Sequence, residues 1–98
     1  MLFTWDHRKS RQNLLKHKVS FETAVLVFDD PHALSIQDRL VQGEERWQTL
    51  GMIEGVVVLL VAHSIEFEND EETIRIISAR KATPREREIY AQDQQKTK

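Results

Sequence analysis

The residues of this sequence best suited to chemistry are arginines that lie in predicted strands. Arg46 lies in one such strand, and Arg75 and Arg80 lie in another. A guanidinium group can hold a phosphate through two parallel hydrogen bonds, so several of them converging on one point would form a phosphate site. The same arginines could instead be neutralised across the sheet by nearby carboxylates, for which the candidates are Glu44, Glu45, Glu54 and Glu72. Residue types alone leave both possibilities open.

Side chains that could transfer protons form a second set. His63 follows the longest apolar run, Glu45 precedes Arg46, and Tyr90 lies in the last predicted helix. Each has a plain alternative: a structural imidazole, a solvated carboxylate, and a ring that docks the helix. Such a metal-free set is sufficient to cleave RNA, because the 2′-OH of the substrate is the nucleophile and the protein only moves protons and stabilises charge on the phosphorane.

Further cations could bind an RNA backbone. Lys16 and His17 end the first predicted helix, where they could also merely complement the helix dipole. Lys81 and Arg85 lie where the last strand meets the last helix. If the two regions meet in the fold, they form a basic surface of the kind that attracts a polyanion.

The distribution of charge supports that expectation. The net charge of the whole chain is only −2. Residues 1–18 have a net charge of +4, residues 19–74 of −10, and residues 75–98 of +4. A chain that is acidic in total can therefore still present a positive surface.

Composition indicates one soluble domain in a reducing compartment. The chain has 98 residues, of which 40% are hydrophobic and 31% charged, and it has no cysteine. These values favour a single domain and a cytoplasmic location without disulfides. The longest apolar run, Val56–Ala62, is far below the roughly 20 residues that cross a bilayer, and no secretory signal is expected. The histidines are scattered and glycines are few, so neither a metal nor a cofactor is expected.

Helix signals lie near both ends of the chain. Asp6 is a predicted N-cap for a helix that continues to about Lys16, with Leu14 and Leu15 as its buried residues. Ser20 is a second predicted N-cap, followed by an apolar stripe at helical spacing that ends before Asp29-Asp30-Pro31. The stripe consists of Phe21, Ala24, Val25 and Phe28.

Between these ends the apolar period changes to two, which is typical of strands. A short edge strand, Phe3–Trp5, precedes the helices, and an acidic loop is expected at Glu66–Glu72. Short turns near residues 42–44 and 51–55 predict antiparallel pairing, and the unbroken apolar run predicts a central strand that is covered on both faces. The four main predicted strands are Ala33–Leu40, Glu45–Met52, Val56–Ala62 and Thr73–Arg80.

The last strand leads into the last helix at a basic corner. Thr83, Pro84 and Glu86 have the spacing of a capping box. On a regular strand Arg75 and Arg80 face opposite sides of the sheet, although a single bulge would reverse this arrangement.

These elements predict an α+β fold with two layers. Its order is a short N-terminal strand, two helices, a four-stranded antiparallel meander and a C-terminal helix, with the helices on one face of the sheet. One domain is expected over residues 1–92, followed by a flexible tail over residues 93–98.

Several segments, taken together, form a specific pattern. They are Phe3–Asp6, Asn13–Glu22, Val27–Pro31, Gly43–Arg46, Leu50-Gly51, Ile74–Thr83, Glu86-Arg87 and Tyr90. This combination closely resembles the BrnT family of bacterial toxins, with Lys18 standing where a glycine is common in the family. The resemblance implies a RelE-like fold, and it places Arg46, Arg75 and Arg80 where charge-stabilising arginines are expected.

The resemblance also implies a function and partners. It implies a ribonuclease that cuts RNA, blocks translation and belongs to a type II toxin–antitoxin operon. The implied partner is a BrnA-like antitoxin with a ribbon-helix-helix domain, which contacts operator DNA and forms a heterotetramer with the toxin. The alternatives are a non-catalytic module that binds the antitoxin as a co-repressor, and a basic RNA-binding domain that leaves RNA intact.

Overall fold

The computed structural model describes residues 1–96 and is built on one five-stranded sheet. Its elements are β1 (Leu2–Thr4), α1 (His7–His17), α2 (Phe21–Ala24), a 3₁₀ segment (Val25–Asp29), β2 (Leu34–Val41), β3 (Glu44–Ile53), β4 (Val57–Glu68), β5 (Glu71–Lys81) and α3 (Pro84–Lys96). The strands lie in the order β1-β5-β4-β3-β2. β1 is parallel to β5, and all other neighbours are antiparallel. The predicted α+β order, with its antiparallel meander and edge strand, is confirmed.

Side-chain caps start the helices as the sequence indicated. Asp6 accepts a hydrogen bond from a backbone N–H of the first turn of α1 at 2.8 Å, and the Ser20 hydroxyl does the same for α2 at 3.1 Å. At α3 the Thr83 hydroxyl accepts from the Glu86 N–H at 3.1 Å, while the Glu86 carboxylate accepts from the Thr83 N–H at 2.9 Å. α3 continues through residues 93–96, where a tail was expected, and the last two residues of that expected tail lie outside the described chain.

Tight turns connect the strands of the meander. Gln42 and Gly43 join β2 to β3, and both have positive φ, which suits the right-handed twist of the two strands. Asn69 and Asp70 join β4 to β5 in the same way. The acidic loop predicted at Glu66–Glu72 is therefore wrong: these residues form the end of a long hairpin.

Alternate residues of β4 enter two hydrophobic clusters on opposite faces of the sheet. Leu59 and Val61 pack with α2 and the 3₁₀ segment, on what we call the core face. Val58 and Leu60 pack with Tyr90 of α3 on the other side, which we call the open face because α3 covers only one end of it. The prediction that this strand is covered on both faces is confirmed. The prediction that all helices lie on one face is corrected, since α3 lies on the other.

α1 turns polar residues towards the protein. The amide of Asn13 donates to the backbone oxygens of Val19 and Ala79 at 2.7 and 2.8 Å, and its oxygen accepts from the Ala79 N–H at 3.2 Å. β1 is too short to reach Ala79, so this side chain takes the place of a strand at the edge of β5. Leu14 and Leu15 are 47% and 75% exposed, so the prediction that they are buried is wrong.

Candidate active site

A β-bulge decides which way the arginines of β5 project. Two neighbouring residues of β4 pair with Ile76 and Ser78, which leaves Ile77 as an extra residue. The extra residue reverses the alternation beyond it. Arg75 and Arg80 therefore project from the same face, the open face, and not from opposite faces as regular alternation predicts.

A row of paired residues crosses the open face. Arg46 pairs with Ser64, and Ser64 pairs with Arg75. Paired residues in antiparallel strands are about 5 Å apart, so the Cα atoms of the two arginines are about 10 Å apart and their side chains can meet. A second bulge, at Asp38, pairs Arg39 with Arg46 and adds a third arginine to the row. Sequence reasoning missed Arg39, because simple alternation in β2 assigns it to the other face and no local signal marks the bulge.

Arg46 and Arg75 line a cleft between the start of α1 and the β2–β3 hairpin. The cleft has a volume of about 180 Å³ and is also lined by Asp6, Lys9, Gln42, Glu44, Ile76 and Ile77. Lys9 also lines an adjoining groove of about 280 Å³ along α1, together with Lys16 and His17. Cleft and groove share Lys9 and Ile77 in their linings, and together we call them the basic channel. Four of the predicted site residues line it: Lys16 and His17 from the basic N-terminal part, Arg75 from the basic C-terminal part, and Arg46 from the strand between them.

The positive charge of the cleft is only partly neutralised. One oxygen of Glu44 lies 3.6 Å from Nε of Arg46, which is an ion pair but too long for a hydrogen bond. Arg46 Nε and the neighbouring Ser64 Oγ are buried without a hydrogen-bond partner among residues 1–96. Within the same residues Arg75 forms no ion pair. A buried polar group without a partner costs about 1–3 kcal/mol, so these two atoms destabilise the chain where they lie.

Arg80 lies outside the cleft. Its guanidinium donates two hydrogen bonds to the Glu86 carboxylate, at 2.7 and 3.0 Å. These hydrogen bonds raise the pKa of Arg80 and, as their main effect on the partner, lower the pKa of Glu86 to about 2. Arg80 pairs with Leu60, four residues along β4 from Ser64, which is about 13 Å of strand. The pair therefore fastens the start of α3 to β5, and Arg80 does not converge with the other arginines.

Three further candidates also lie outside the channel. Lys81 is exposed at the end of β5, and the exposed Arg85 pairs with Glu88 at 3.4 Å. Glu45 is exposed and, by strand alternation, projects from the opposite face to its neighbour Arg46. The carboxylate that lines the cleft is that of the preceding residue, Glu44, which sequence reasoning had considered only as a neutralising partner.

His63 is a core residue on the opposite side of the sheet from the cleft. It is 1% exposed, and its ring lies edge-on to Phe28 with ring centres 5.0 Å apart. Nε2 is hydrogen-bonded to the Thr49 hydroxyl at 2.8 Å, which is bonded in turn to the Ser35 hydroxyl at 2.8 Å. Burial lowers the pKa of His63 to about 4, and the backbone of Ser64 acts in the other direction. The imidazole is neutral at neutral pH, and it lies on the opposite face of the sheet from the arginines of the cleft.

Tyr90 docks α3 against the edge of β3. It is 4% exposed, and its hydroxyl donates to the Asp30 carboxylate at 2.5 Å. The same carboxylate accepts from the Met52 N–H at 2.8 Å. Burial opposes ionisation of Asp30, but the hydrogen bonds from Met52, Tyr90 and His32 outweigh it and keep the pKa of this carboxyl below its ordinary value. Tyr90 therefore docks the last helix, which was the alternative to proton transfer. It lies at the far end of β3 from Arg46.

A groove larger than the cleft has the wrong charge for a phosphate. It has a volume of about 540 Å³ and lies beside Tyr90, at the end of the sheet remote from the cleft. Asp29, Asp30 and Glu54 line it. These carboxylates repel an anion, so size alone does not make this groove the RNA site.

Two kinds of feature are absent from residues 1–96. No three histidine, aspartate or glutamate side chains gather there as a metal-binding group. None of the helices in this part of the chain is both long enough and apolar enough to cross a membrane.

An α+β fold with a partly unneutralised arginine cleft defines a protein suited to holding a polyanion, and comparison with known proteins gives the family. The family model described as "Ribonuclease toxin, BrnT, of type II toxin-antitoxin system" matches residues 5–86. The chain therefore belongs to the BrnT family of ribonuclease toxins of type II toxin–antitoxin systems, as the sequence pattern predicted.

A solved structure supports the fold. The 1.1 Å crystal structure of the Brucella abortus ribonuclease toxin, BrnT, aligns with a TM-score of 0.65 and 22% sequence identity. The alignment covers 85% of this chain and 99% of that chain. A search among curated proteins gives no significant match.

Proposed function

We propose that this chain is an endoribonuclease toxin that cuts single-stranded RNA through attack of a 2′-OH on the adjacent phosphorus, without a metal ion. The observation that carries the proposal is that Arg46 and Arg75, placed on either side of Ser64 in the sheet, line one cleft in which Arg75 has no ion pair within residues 1–96. The two guanidiniums bind the scissile phosphate and stabilise the charge that develops on its non-bridging oxygens. Lys16 and His17, farther along the channel, hold the flanking backbone.

Two other side chains of the cleft exchange protons with the RNA. Glu44 accepts the proton of the 2′-OH; the 2′-oxygen bonds to phosphorus, the bond from phosphorus to the 5′-oxygen breaks, and Lys9 protonates that leaving oxygen. The products are a 2′,3′-cyclic phosphate and a free 5′-OH. Glu44 is the better base because Asp6, the other carboxylate of the cleft, already accepts backbone hydrogen bonds as the cap of α1.

The family implies a partner, to which we add the finer features of such an operon. We propose that the toxin acts in the cytoplasm by blocking translation, and that a BrnA-like antitoxin with a ribbon-helix-helix domain neutralises it. Toxin and antitoxin form a heterotetramer on an antitoxin dimer, and operator DNA is contacted only through the antitoxin. Size and mass measurements on the co-expressed complex test this stoichiometry.

Cleavage of a short single-stranded RNA in the presence of EDTA tests the catalytic proposal, with Arg75→Ala and Arg80→Ala as a matched pair. Loss of one charge-stabilising donor typically reduces the rate by about 10²–10³-fold, so Arg75→Ala is expected to lower kcat/KM by that factor with little change in Tm. Arg80→Ala is expected to lower Tm, because it removes the pair with Glu86, and to cut RNA within a few-fold of the unaltered rate.

Two results would contradict the proposal. One is full activity of Arg75→Ala in a folded state. The other is cleavage of a substrate whose scissile ribose lacks the 2′-OH, since that substrate has no internal nucleophile.

One observation favours a second function, a module that binds its antitoxin without cutting RNA. No histidine or tyrosine lines the cleft, because His63 and Tyr90 are held in structural hydrogen bonds elsewhere. Induction of the chain alone in bacteria separates the two functions: growth arrest with broken RNA supports the enzyme, and normal growth supports the module.

A further inference from the structure

Helix α1 has three distinct sides. One side faces the interior of the protein and contains the buried Ser10 and Asn13. A second side lines the basic channel with Lys9, Gln12 and Lys16, which recur at helical spacing. The remaining residues form what we call the outer face of α1: His7, Arg8, Arg11, Leu14, Leu15 and the C-cap Lys18. All six are exposed.

The outer face contains two leucines where a solvent-facing helix is normally polar. Leu14 and Leu15 are the only apolar residues of α1, and both point away from the core. A single exposed leucine is common on protein surfaces, but here two adjacent leucines are exposed on a helix that buries Ser10 and Asn13 instead. The requirement to satisfy the edge of β5 explains why Asn13 faces inwards. It does not explain why the outward positions are leucines.

The charge around the leucines has one sign. Arg8, Arg11 and Lys18 surround them, and the outer face contains no acidic residue. None of these three cations forms an ion pair within residues 1–96. RNA would leave the leucines in water, since phosphates gain nothing from apolar side chains. An acidic segment with an apolar stripe would cover the leucines and pair with the cations together.

We infer that the outer face of α1 docks an acidic amphipathic segment of the antitoxin. The inference rests on the proposed function only in taking an antitoxin as the partner, and it does not require that the chain cut RNA. A neighbouring side of the same helix lines the basic channel, within one helix diameter, or roughly 10 Å. An antitoxin anchored on the outer face is therefore close enough for its adjoining chain to reach the channel.

The binding experiment uses the full toxin chain and the antitoxin encoded beside it, with affinity measured by titration calorimetry at low and high salt. Leu14→Ser with Leu15→Ser is expected to weaken antitoxin binding at least tenfold, because each leucine loses its buried apolar contact. Arg11→Glu is expected to weaken binding by a similar factor at low salt and by less at high salt. RNA cleavage by both variants is expected to stay within twofold of the unaltered chain.

Leu40→Ser is the matched control. Leu40 is 66% exposed on β2 and is not part of the outer face of α1, so its loss is expected to leave antitoxin affinity unchanged. Lys16→Ala is the converse control, which is expected to weaken RNA binding and to keep antitoxin binding within a few-fold.

The inference is overturned if the leucine variant and Arg11→Glu bind the antitoxin within twofold of the unaltered chain. It is also overturned if the outer-face variants lose RNA cleavage but keep the antitoxin, because the face would then belong to the RNA site. If the double leucine variant fails to fold, Arg11→Glu decides alone. An unaltered chain that cuts no RNA refutes the catalytic proposal, whereas the antitoxin titration still decides the docking surface.

Discussion

Replacement of His63 by glutamine tests whether this residue is a structural core histidine. The ring is 1% exposed, and its Nε2 is bonded to the Thr49 hydroxyl at 2.8 Å. Glutamine can present an amide nitrogen to the same hydroxyl but does not titrate. His63→Gln therefore removes one proton-binding group from the core and keeps a hydrogen bond there.

The expected effect on stability follows from the difference between the pKa values of the folded and unfolded states. Burial lowers the pKa of His63 from 6.5 to about 4. Because the folded value lies below the unfolded one, the unfolded chain binds the proton more readily, and stability falls as the pH drops from about 6.5 towards 4. At pH 5 the unaltered chain is expected to have lost about 2 kcal/mol through this one group, relative to its stability above pH 7.

The assay is urea unfolding at about pH 7.5 and about pH 5, followed by tryptophan fluorescence, for the unaltered chain and for His63→Gln. Carboxylates also titrate in this range, but both proteins contain them, so the difference between the two pH responses isolates His63. The unfolding midpoint of the unaltered chain is expected to fall by about 1–2 M more than that of the variant. Equal pH responses would refute the burial of His63. Loss of RNA cleavage by folded His63→Gln would refute its separation from the cleft.

Three further substitutions test the packing that holds the site. Gly51→Ala is expected to destabilise by about 1–3 kcal/mol in urea unfolding, because the new Cβ would lie 2.6 Å from Cβ of Val27; an unchanged midpoint would contradict this close approach. Lys18→Gly is expected to stabilise by about 0.5–1 kcal/mol, because Lys18 has the left-handed φ of 63° that glycine tolerates without strain; a lower Tm would contradict it. Tyr90→Phe removes a hydrogen bond to the Asp30 carboxylate, so it is expected to destabilise the fold by about 1.5–3 kcal/mol and to raise the pKa of Asp30. NMR titration measures that pKa, and an unchanged Asp30 titration would contradict the prediction.

Signals that depend on near neighbours in the chain were read correctly from the sequence. The caps at Asp6, Ser20 and Thr83 form as predicted, and each places a side-chain oxygen against a backbone N–H two or three residues ahead. The stripe that begins at Phe21 is buried or half-buried on the core face. Val27 joins it because the helix tightens to a 3₁₀ turn with three residues per turn, which the sequence did not reveal.

The structure brings together only some of the residues that the sequence predicted for the site. Arg46, Arg75, Lys16 and His17 meet in the basic channel, whereas Arg80, His63 and Tyr90 are held in contacts elsewhere. Arg39 and Glu44 join the row and the cleft without having been singled out as catalytic candidates. For the residues of the sheet these differences have a common cause, since each depends on the face or the row that the residue occupies.

The sequence by itself determined where helices begin, where the chain turns and which family the pattern belongs to, because caps, turn residues and apolar period act within a few residues of the chain. Only the tertiary structure decided the bulges at Asp38 and Ile77, which set the faces of three arginines. It also decided the orientation of α1, where the edge of β5 requires Asn13 inside and leaves the leucines outside. The physical reason is that a backbone hydrogen bond to a distant strand has no signature in the residues on either side of it.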